Sequence, residues 1–184
     1  MVRKKMNALK TFRPALAALI FVGLSGAAYS AQSEWVKPQQ LIVDESLSRT
    51  QLTANEAVAR EYATFWNTGK ESLARDALAA NFIDKTPPEG RKQGPEGAIL
   101  ASRAFRTAVP DLRCEVEQMI ISGDRVVSHL HFYGTFTGTF GKLKGKGQKI
   151  DFIATDIYEI REGKIAANWH IEDNLTLMKQ LGAL

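Results

Sequence analysis

The sequence predicts an α+β domain, a curved antiparallel sheet with three N-terminal helices packed on one face and a short C-terminal helix. Two observations carry this. Up to Val109-Pro110-Asp111 the apolar residues recur at helical spacing, and from Leu112 onward the period changes to two. Helices followed by a meander of strands, with no alternation of the two, is the order of an α+β fold with helices segregated to one face of the sheet.

The first residues, "MVRKKMNALKTFRPALAALIFVGLSGAAYSAQS", have a basic start, an apolar stretch from Ala15 to Ala28 and small residues at Ala28 and Ser30. This is the layout of a secretory signal cleaved after Ser30, and the stretch is shorter than the roughly 20 apolar residues that span a bilayer. The alternative is an uncleaved membrane anchor. Residues 1–30 hold five basic and no acidic residues, so without them Lys+Arg falls from 24 to 19 against 20 acids and the formal charge moves from +4 to −1. The basic balance belongs to the targeting segment, and nothing is left to argue for a nucleic-acid partner. The expected location is periplasmic or secreted, with no stable membrane association after cleavage. Cys114 is the one cysteine and can form no intramolecular disulfide. Residues 31–52 read as a polar N-terminal arm and residues 53–184 as the folded domain, enough for one core.

Within the domain, Thr53-Ala54-Asn55-Glu56 reads as a capping box, Val58, Tyr62, Phe65 and Trp66 follow at helical spacing, and Gly69 is a natural stop. A shorter helix is expected over 71–79, then a short strand and a Pro/Gly-rich loop in "NFIDKTPPEGRKQG". Pro95 at a first helical position opens a third helix. Candidate strands cover 112–121, 125–139, 149–160 and 164–173. The biased tract "GKLKGKGQ" reads as a mobile, exposed hairpin loop, because no strand–loop–helix context makes it a phosphate cradle.

Chemistry concentrates in the last two strands. Along "GKIAANWHIED", Ala166, Asn168, His170 and Glu172 share one face, while Ile165, Ala167, Trp169, Ile171 and Asp173 share the other. The turn Arg161-Glu162-Gly163 sets what they meet. A two-residue loop would ask Glu162 for a positive φ, which Glu adopts poorly. A three-residue loop closed by Gly163 suits the sequence better, pairing Asp156 with Asn168 and making His170 its diagonal neighbour on the same face. With the shorter loop, Asp156 would join Trp169 and Asp173. The inward row of the third strand reads Ile150, Phe152, Ala154, Asp156, Tyr158, Ile160, and a carboxylate among apolar neighbours needs a partner. Two readings stay open. Asp156 and His170 form a site in an apolar pocket, or they are a buried pair that fastens two strands. As a site, His170 would serve as general acid or base, and Asp156 would orient it or, kept protonated, donate to an enolate. Asn168 and Tyr158 are candidate hydrogen-bonders to a substrate oxygen, with Phe136, Phe152 and Trp66 as walls.

His129 and His131 form His-x-His but lack a third ligand at a recognisable spacing and share the face opposite Phe132 and Phe136, so no metal site is expected. Asp173 or Asn174 caps the helix that follows. The apolar face of the last strand, with Ile165, Trp169 and Ile171, needs cover, which a homodimer would supply.

"FWNTGKESL", "PDLRCEVEQMIISGDRVVSHLHFYGTFTGTF", "TDIYEIREGKI" and "NWHIEDNLTLMKQLG" together resemble the SnoaL-like polyketide cyclases, also called ester cyclases, over roughly residues 54–182. The resemblance implies a nuclear transport factor 2-like cone, and ring closure by an aldol-type bond through a histidine and an aspartate on the last two strands, with no cofactor. With "GKI" as anchor, the family's histidine position falls on Asp156 and its aspartate position on His170, so the two residue types look exchanged. Phe136 stands where many members read His in "GTHTG", Asp84 stands where the loop often offers His or Asn, and "GKLKGKGQ" replaces a Pro-Pro-containing loop. These departures mean that the resemblance carries no particular substrate over. The expected function is acid–base chemistry on carbon next to a carbonyl of a small apolar molecule. The alternatives are a hydrophobic-ligand-binding module of the same fold and a hydrolase in which the Asp–His pair activates water.

Overall fold

The computed structural model describes residues 34–184, so the expected targeting segment at 1–30 lies outside the described residues. Strand β1 (Pro38–Val43) is followed by α1 (Arg49–Thr68), α2 (Glu71–Ala77), β2 (Leu78–Asp84) and α3 (Pro95–Ala108). Strands β3 (Arg113–Ser122), β4 (Arg125–Phe136), β5 (Thr139–Phe140), β6 (Leu143–Lys144), β7 (Gln148–Arg161) and β8 (Lys164–Glu172) come next, and α4 (Asn174–Leu181) closes the chain. Six strands form one curved, open sheet in the order β1-β3-β4-β7-β8-β2. The helices cover its concave side.

The meander β3-β4-β7-β8 is antiparallel as expected, but both edge strands pair in parallel, β1 with β3 and β2 with β8. Each edge strand is separated in sequence from its partner by helices, and such crossovers return a chain in the parallel sense. Pro38–Val43 therefore lies within what reads as an arm in the sequence. It is held to the domain by the β3 ladder, by Val36 N donating to Thr64 Oγ1 at 2.9 Å and by Arg60 Nε donating to Val36 O at 3.0 Å.

Helix α1 starts a turn earlier than the Thr53 box predicts. Ser48 is the N-cap, its hydroxyl accepting from Gln51 N, and Gly69 ends the helix at φ 73°. An Ser cap satisfies orphan amides at either place, and Arg49–Leu52 supply one further turn that no apolar periodicity marks. Pro95 opens α3 and Asp173 caps α4, accepting from Thr176 N. The "GKLKGKGQ" tract contributes to a two-stranded hairpin, β5–β6, standing off the main sheet.

The turn between β7 and β8 departs from expectation in an instructive way. Arg161 pairs with Lys164, so the loop has two residues, Glu162 and Gly163, at φ 51° and 71°. Both sit in the left-handed region, as a type I′ turn requires, and its twist matches that of the flanking strands. By itself this turn would carry Asp156 to the Trp169 face. A bulge undoes that: Ile160 pairs with Ile165 but Glu159 with Ala167, leaving Ala166 as an extra residue. The register beyond the bulge sets Asp156 directly opposite His170, not diagonal to it, and Tyr158 opposite Asn168. The bulge also moves Ile165 out of the expected outer stripe and into the core, where it is fully buried.

The core lies between the concave sheet face and α1–α3. Tyr62 and Phe65 of α1 stack at 5.7 Å, and Phe132 of β4 stacks on Phe152 of β7 at 5.3 Å with the rings 13° apart. Tyr62 also meets Tyr158 of β7 edge to face at 5.7 Å, a ring contact between helix and sheet, and burying one such large apolar side chain contributes about 1.5–3 kcal/mol. Cys114 is buried and free.

Candidate active site

The core is not filled to the top. A cavity of about 350 Å³ opens between the sheet, α1, α3 and α4, with the loop after β2 at its rim. Its walls are mostly aromatic: Tyr62 and Trp66 from α1, Phe82 from β2, Phe105 from α3, Phe132 from β4, Phe140 from β5 and Phe152 from β7. The rings fix one another edge to face, Trp66 against Phe132 at 6.1 Å and Phe105 against both Phe140 and Phe152 at 6.1 and 5.9 Å. Such a box favours a flat apolar guest.

One polar row breaks these walls, and it comes from the paired inward faces of β7 and β8. Asp156 is 1% exposed and accepts three hydrogen bonds: from Tyr158 Oη at 2.8 Å, Asn168 Nδ2 at 2.7 Å and His170 Nδ1 at 2.8 Å. His170 Nε2 faces Glu172 Oε2 at 3.4 Å. With a carboxylate at each nitrogen, the ring has two acceptors and is satisfied only as an imidazolium donating to both. Burial pulls the His170 pKa down, but the hydrogen bonds and negative charges of Asp156 and Glu172 outweigh it and carry it up to about 10. Burial and the Asp156 charge push the Tyr158 phenol well above its ordinary value, so it remains a donor.

Asn168 is oriented by the same carboxylate. Because Asp156 only accepts, Asn168 must turn its amide nitrogen toward it, and this leaves Asn168 Oδ1 buried without a hydrogen-bond partner. An orphaned buried acceptor costs about 1–3 kcal/mol, a cost imposed here by the demand of Asp156 for donors.

The rim is built by β2 and its following loop. Asp84 lines the cavity. Its backbone is clamped on both sides by Gln93, which accepts from Asp84 N at 2.8 Å and donates to Asp84 O at 2.9 Å. Its carboxylate accepts from Thr86 N at 3.0 Å and pairs with Arg91 at 3.5 Å. Thr86 Oγ1 donates to His170 O at 2.9 Å and accepts from His170 N at 2.8 Å, which ties the rim to the strand that bears the imidazole. The loop rests closely on α3: a Cβ at Gly97 would lie 1.9 Å from the Lys92 carbonyl, so only glycine fits there.

Of the residues singled out in the sequence, His170, Asp156, Asn168, Asp84, Phe152 and Trp66 all face this cavity. Two do not. Phe136 is fully buried in the core away from the cavity, because β4 carries it past the aromatic box toward the β5–β6 end of the sheet. Tyr158 is also fully buried, and its hydroxyl is spent on Asp156, so it supports the site from below and reaches no guest. His129 and His131 lie on the outer face with Thr155, Asp151 and Glu117, and among the described residues no group of three His, Cys, Asp or Glu side chains is arranged to hold a metal ion. Sequence reasoning gave no role to Glu172, Arg91, Lys92, Tyr62 or Phe140, which also line the cavity. Glu172 could have been found from its parity with Asn168 and His170. Arg91, Lys92 and Phe140 sit on loops or short hairpins where periodicity carries no signal.

A conical α+β shell with an aromatic cavity and a buried polar row is a candidate small-molecule site on a fold of the nuclear transport factor 2 type. The chain belongs to the SnoaL-like polyketide cyclase family, whose family model matches residues 56–181. A candidate polyketide cyclase from Bacillus cereus ATCC 10987 is 42% identical, with 82% of this chain and 95% of that one covered and a TM-score of 0.75. Two more distant proteins share the fold. IdmH from Streptomyces antibioticus, a candidate polyketide cyclase, is 22% identical, covers 70% of this chain and 98% of its own, and has a TM-score of 0.63. AclR from Streptomyces galilaeus, a candidate hydroxylase, is 20% identical, covers 72% and 87%, and has a TM-score of 0.64. No curated protein matches the chain.

Proposed function

We propose that the protein is a small-molecule enzyme of cyclase, isomerase or lyase type, working without a cofactor on carbon next to a carbonyl of an apolar guest. The observation that carries this reading is the ring of His170, held between buried Asp156 and Glu172 and lining an aromatic cavity, a setting that favours the imidazolium. A fixed cation beside a carbonyl oxygen stabilises the charge that develops there when a neighbouring carbon loses its proton. Asp156 orients the ring and keeps it charged, and Tyr158 and Asn168 hold Asp156. In this arrangement His170 acts as proton donor. The hydrolytic alternative draws less support, since an imidazolium has no lone pair with which to take a proton from water.

Two further expectations stand beside this. Residues 1–30 direct export to the periplasm or beyond, so N-terminal sequencing of the secreted chain should begin at or near Ala31. A homodimer covers the outer sheet face, where Ile153, Ile157 and Ile171 are exposed, Ile171 to 72%. Trp169 on that face is already flanked by Lys85 and Arg125. Sedimentation as a monomer at micromolar concentration would rule the dimer out.

The catalytic reading is tested with α-tetralone, a flat bicyclic ketone, by following exchange of the hydrogens next to its carbonyl for deuterium in D2O by NMR. The wild-type chain should bind it and accelerate exchange, and His170→Ala should lose about 10²–10⁴ of that acceleration. Binding without any accelerated exchange would leave a ligand-binding module and end the enzymatic reading.

A further inference from the structure

An imidazolium that donates to the carbonyl oxygen leaves the other half of the reaction unassigned, because something must take the proton from carbon. Three carboxylates line the cavity: Asp84, Asp156 and Glu172. Asp156 is saturated by three donors and almost completely buried. Asp84 is committed to Thr86 N and Arg91 and is part of the structure of the rim. Glu172 differs from both. Its one partner among the described residues is His170 Nε2, at 3.4 Å, beyond the usual 2.7–3.2 Å of a well-formed N–H···O bond. Its side chain is 28% exposed, and its partner in the β7–β8 register is Ala154, whose methyl group leaves the carboxylate room to swing.

We propose that Glu172 is the catalytic base of this site, taking the proton from the carbon next to the carbonyl while His170 Nε2–H donates to the carbonyl oxygen. This assignment rests on the acid–base reading above. On binding, the guest's carbonyl oxygen replaces Glu172 at His170 Nε2, and the released carboxylate turns to the neighbouring C–H. That bond breaks, its electron pair forms the C=C of the enol, the carbonyl oxygen gains a proton from Nε2, and Glu172 gains the proton from carbon. Glu172 then returns its proton, or a solvent deuteron, to carbon, and the imidazole recovers its own from oxygen. The contact between Glu172 and His170 thus keeps acid and base together in the empty site and parts them when a ketone enters.

The test is the α-tetralone exchange with Glu172→Gln, which keeps the shape and removes the basic oxygen. Exchange should fall by about 10²–10⁴ relative to wild type while quenching of Trp66 fluorescence by the ketone and the melting temperature stay nearly unchanged. The loss should persist at pH 5.5, where a histidine is protonated without help. If Glu172→Gln keeps exchange within about threefold of wild type, Glu172 is not the base and the acid–base reading survives with another acceptor. If its exchange returns to the wild-type rate at pH 5.5, Glu172 only holds His170 charged and the assignment is wrong. If wild type binds the ketone but exchanges nothing, the reading beneath the assignment fails and the assignment falls with it.

Discussion

The same contact is made twice in this molecule, on opposite faces of one sheet. His131 Nε2 meets Asp151 Oδ1 at 2.9 Å on the outer face, and His170 Nδ1 meets Asp156 Oδ1 at 2.8 Å on the inner. The distances are alike and the surroundings are not. The Asp151 side chain is 67% exposed, and the Asp156 side chain 2%. Outside, water solvates both partners and screens them, so forming the pair changes little. The two imidazoles are about equally exposed, 25% for His131 and 24% for His170, so the difference lies in the carboxylates: Asp156 can find no water, depends on its donors, and makes the charge of the imidazole beside it a property of the fold. What each pair can do follows from where it is placed, and for the inner one a turn and a bulge some distance away decide that placement.

The contrast in stability should be the largest effect. Asp156→Asn strips the buried imidazolium of its counter-charge and turns a donor toward Tyr158 and Asn168; removing one member of a buried pair costs about 3–5 kcal/mol. Asp151→Asn should cost under about 1 kcal/mol. Urea denaturation of both variants at neutral pH measures the difference, and equal losses would erase the distinction between the two faces.

A smaller effect should appear as a pH dependence of folding. The pKa of His170 is raised, from 6.5 to about 10, so its stabilising contribution is complete below about 6.5 and is lost as pH rises through 10. Wild type should therefore lose stability steadily between pH 7.5 and 10 relative to His170→Asn, and His131→Asn should leave that slope unchanged. Glu61, which half-burial and the charge of Asp76 push up to about 7 against the opposing charge of Lys164, contributes a separate slope that ends near pH 7. The two can be read apart.

Much of the fold was legible because its signals are local. Pro95, Gly69 and Asp173 mark helix ends by their own backbone chemistry, and the two-residue period of the four central strands is long enough to resist misreading. The resemblance to the family added the cone, and the family match bears it out. What was not legible was non-local. β1 carries one run of apolar residues, Leu41-Ile42-Val43, too short to mark an edge strand, and only β3 reveals its role. Thr53 carried the stronger local capping motif, yet Ser48 is the cap because the helix gains a turn by starting there.

The turn at Glu162 is the most telling case. The energetic objection to a positive φ at Glu was correct in sign, yet the two-residue turn forms, because a type I′ geometry fits the twist of two long paired strands. Asp156 and His170 share the expected face, but a different turn puts them there. The two departures add in register and cancel only in parity: the shorter loop moves the partner of Asp156 from Asn168 to Trp169, and the extra residue Ala166 moves it on to His170. Nothing in "GKIAANWH" announces a bulge, since alanine fits a regular strand as readily as an irregular one. Glu172 was visible on the polar face throughout, but its role needed the knowledge that Asp156 and Asp84 are already spent.

The most direct measurement is the protonation state of His170 itself. With only three histidines in the chain, long-range ¹H–¹⁵N NMR of the imidazole rings, assigned with His129→Asn and His131→Asn, resolves each one. At pH 8 His170 should show two protonated nitrogens and should titrate only near pH 10, and Asp156→Asn should bring that titration down toward 6.5. A single neutral tautomer at pH 8, titrating near 6.5 in the wild-type chain, would mean that Asp156 holds no charge on the ring and that His170 is not the proton donor of this site.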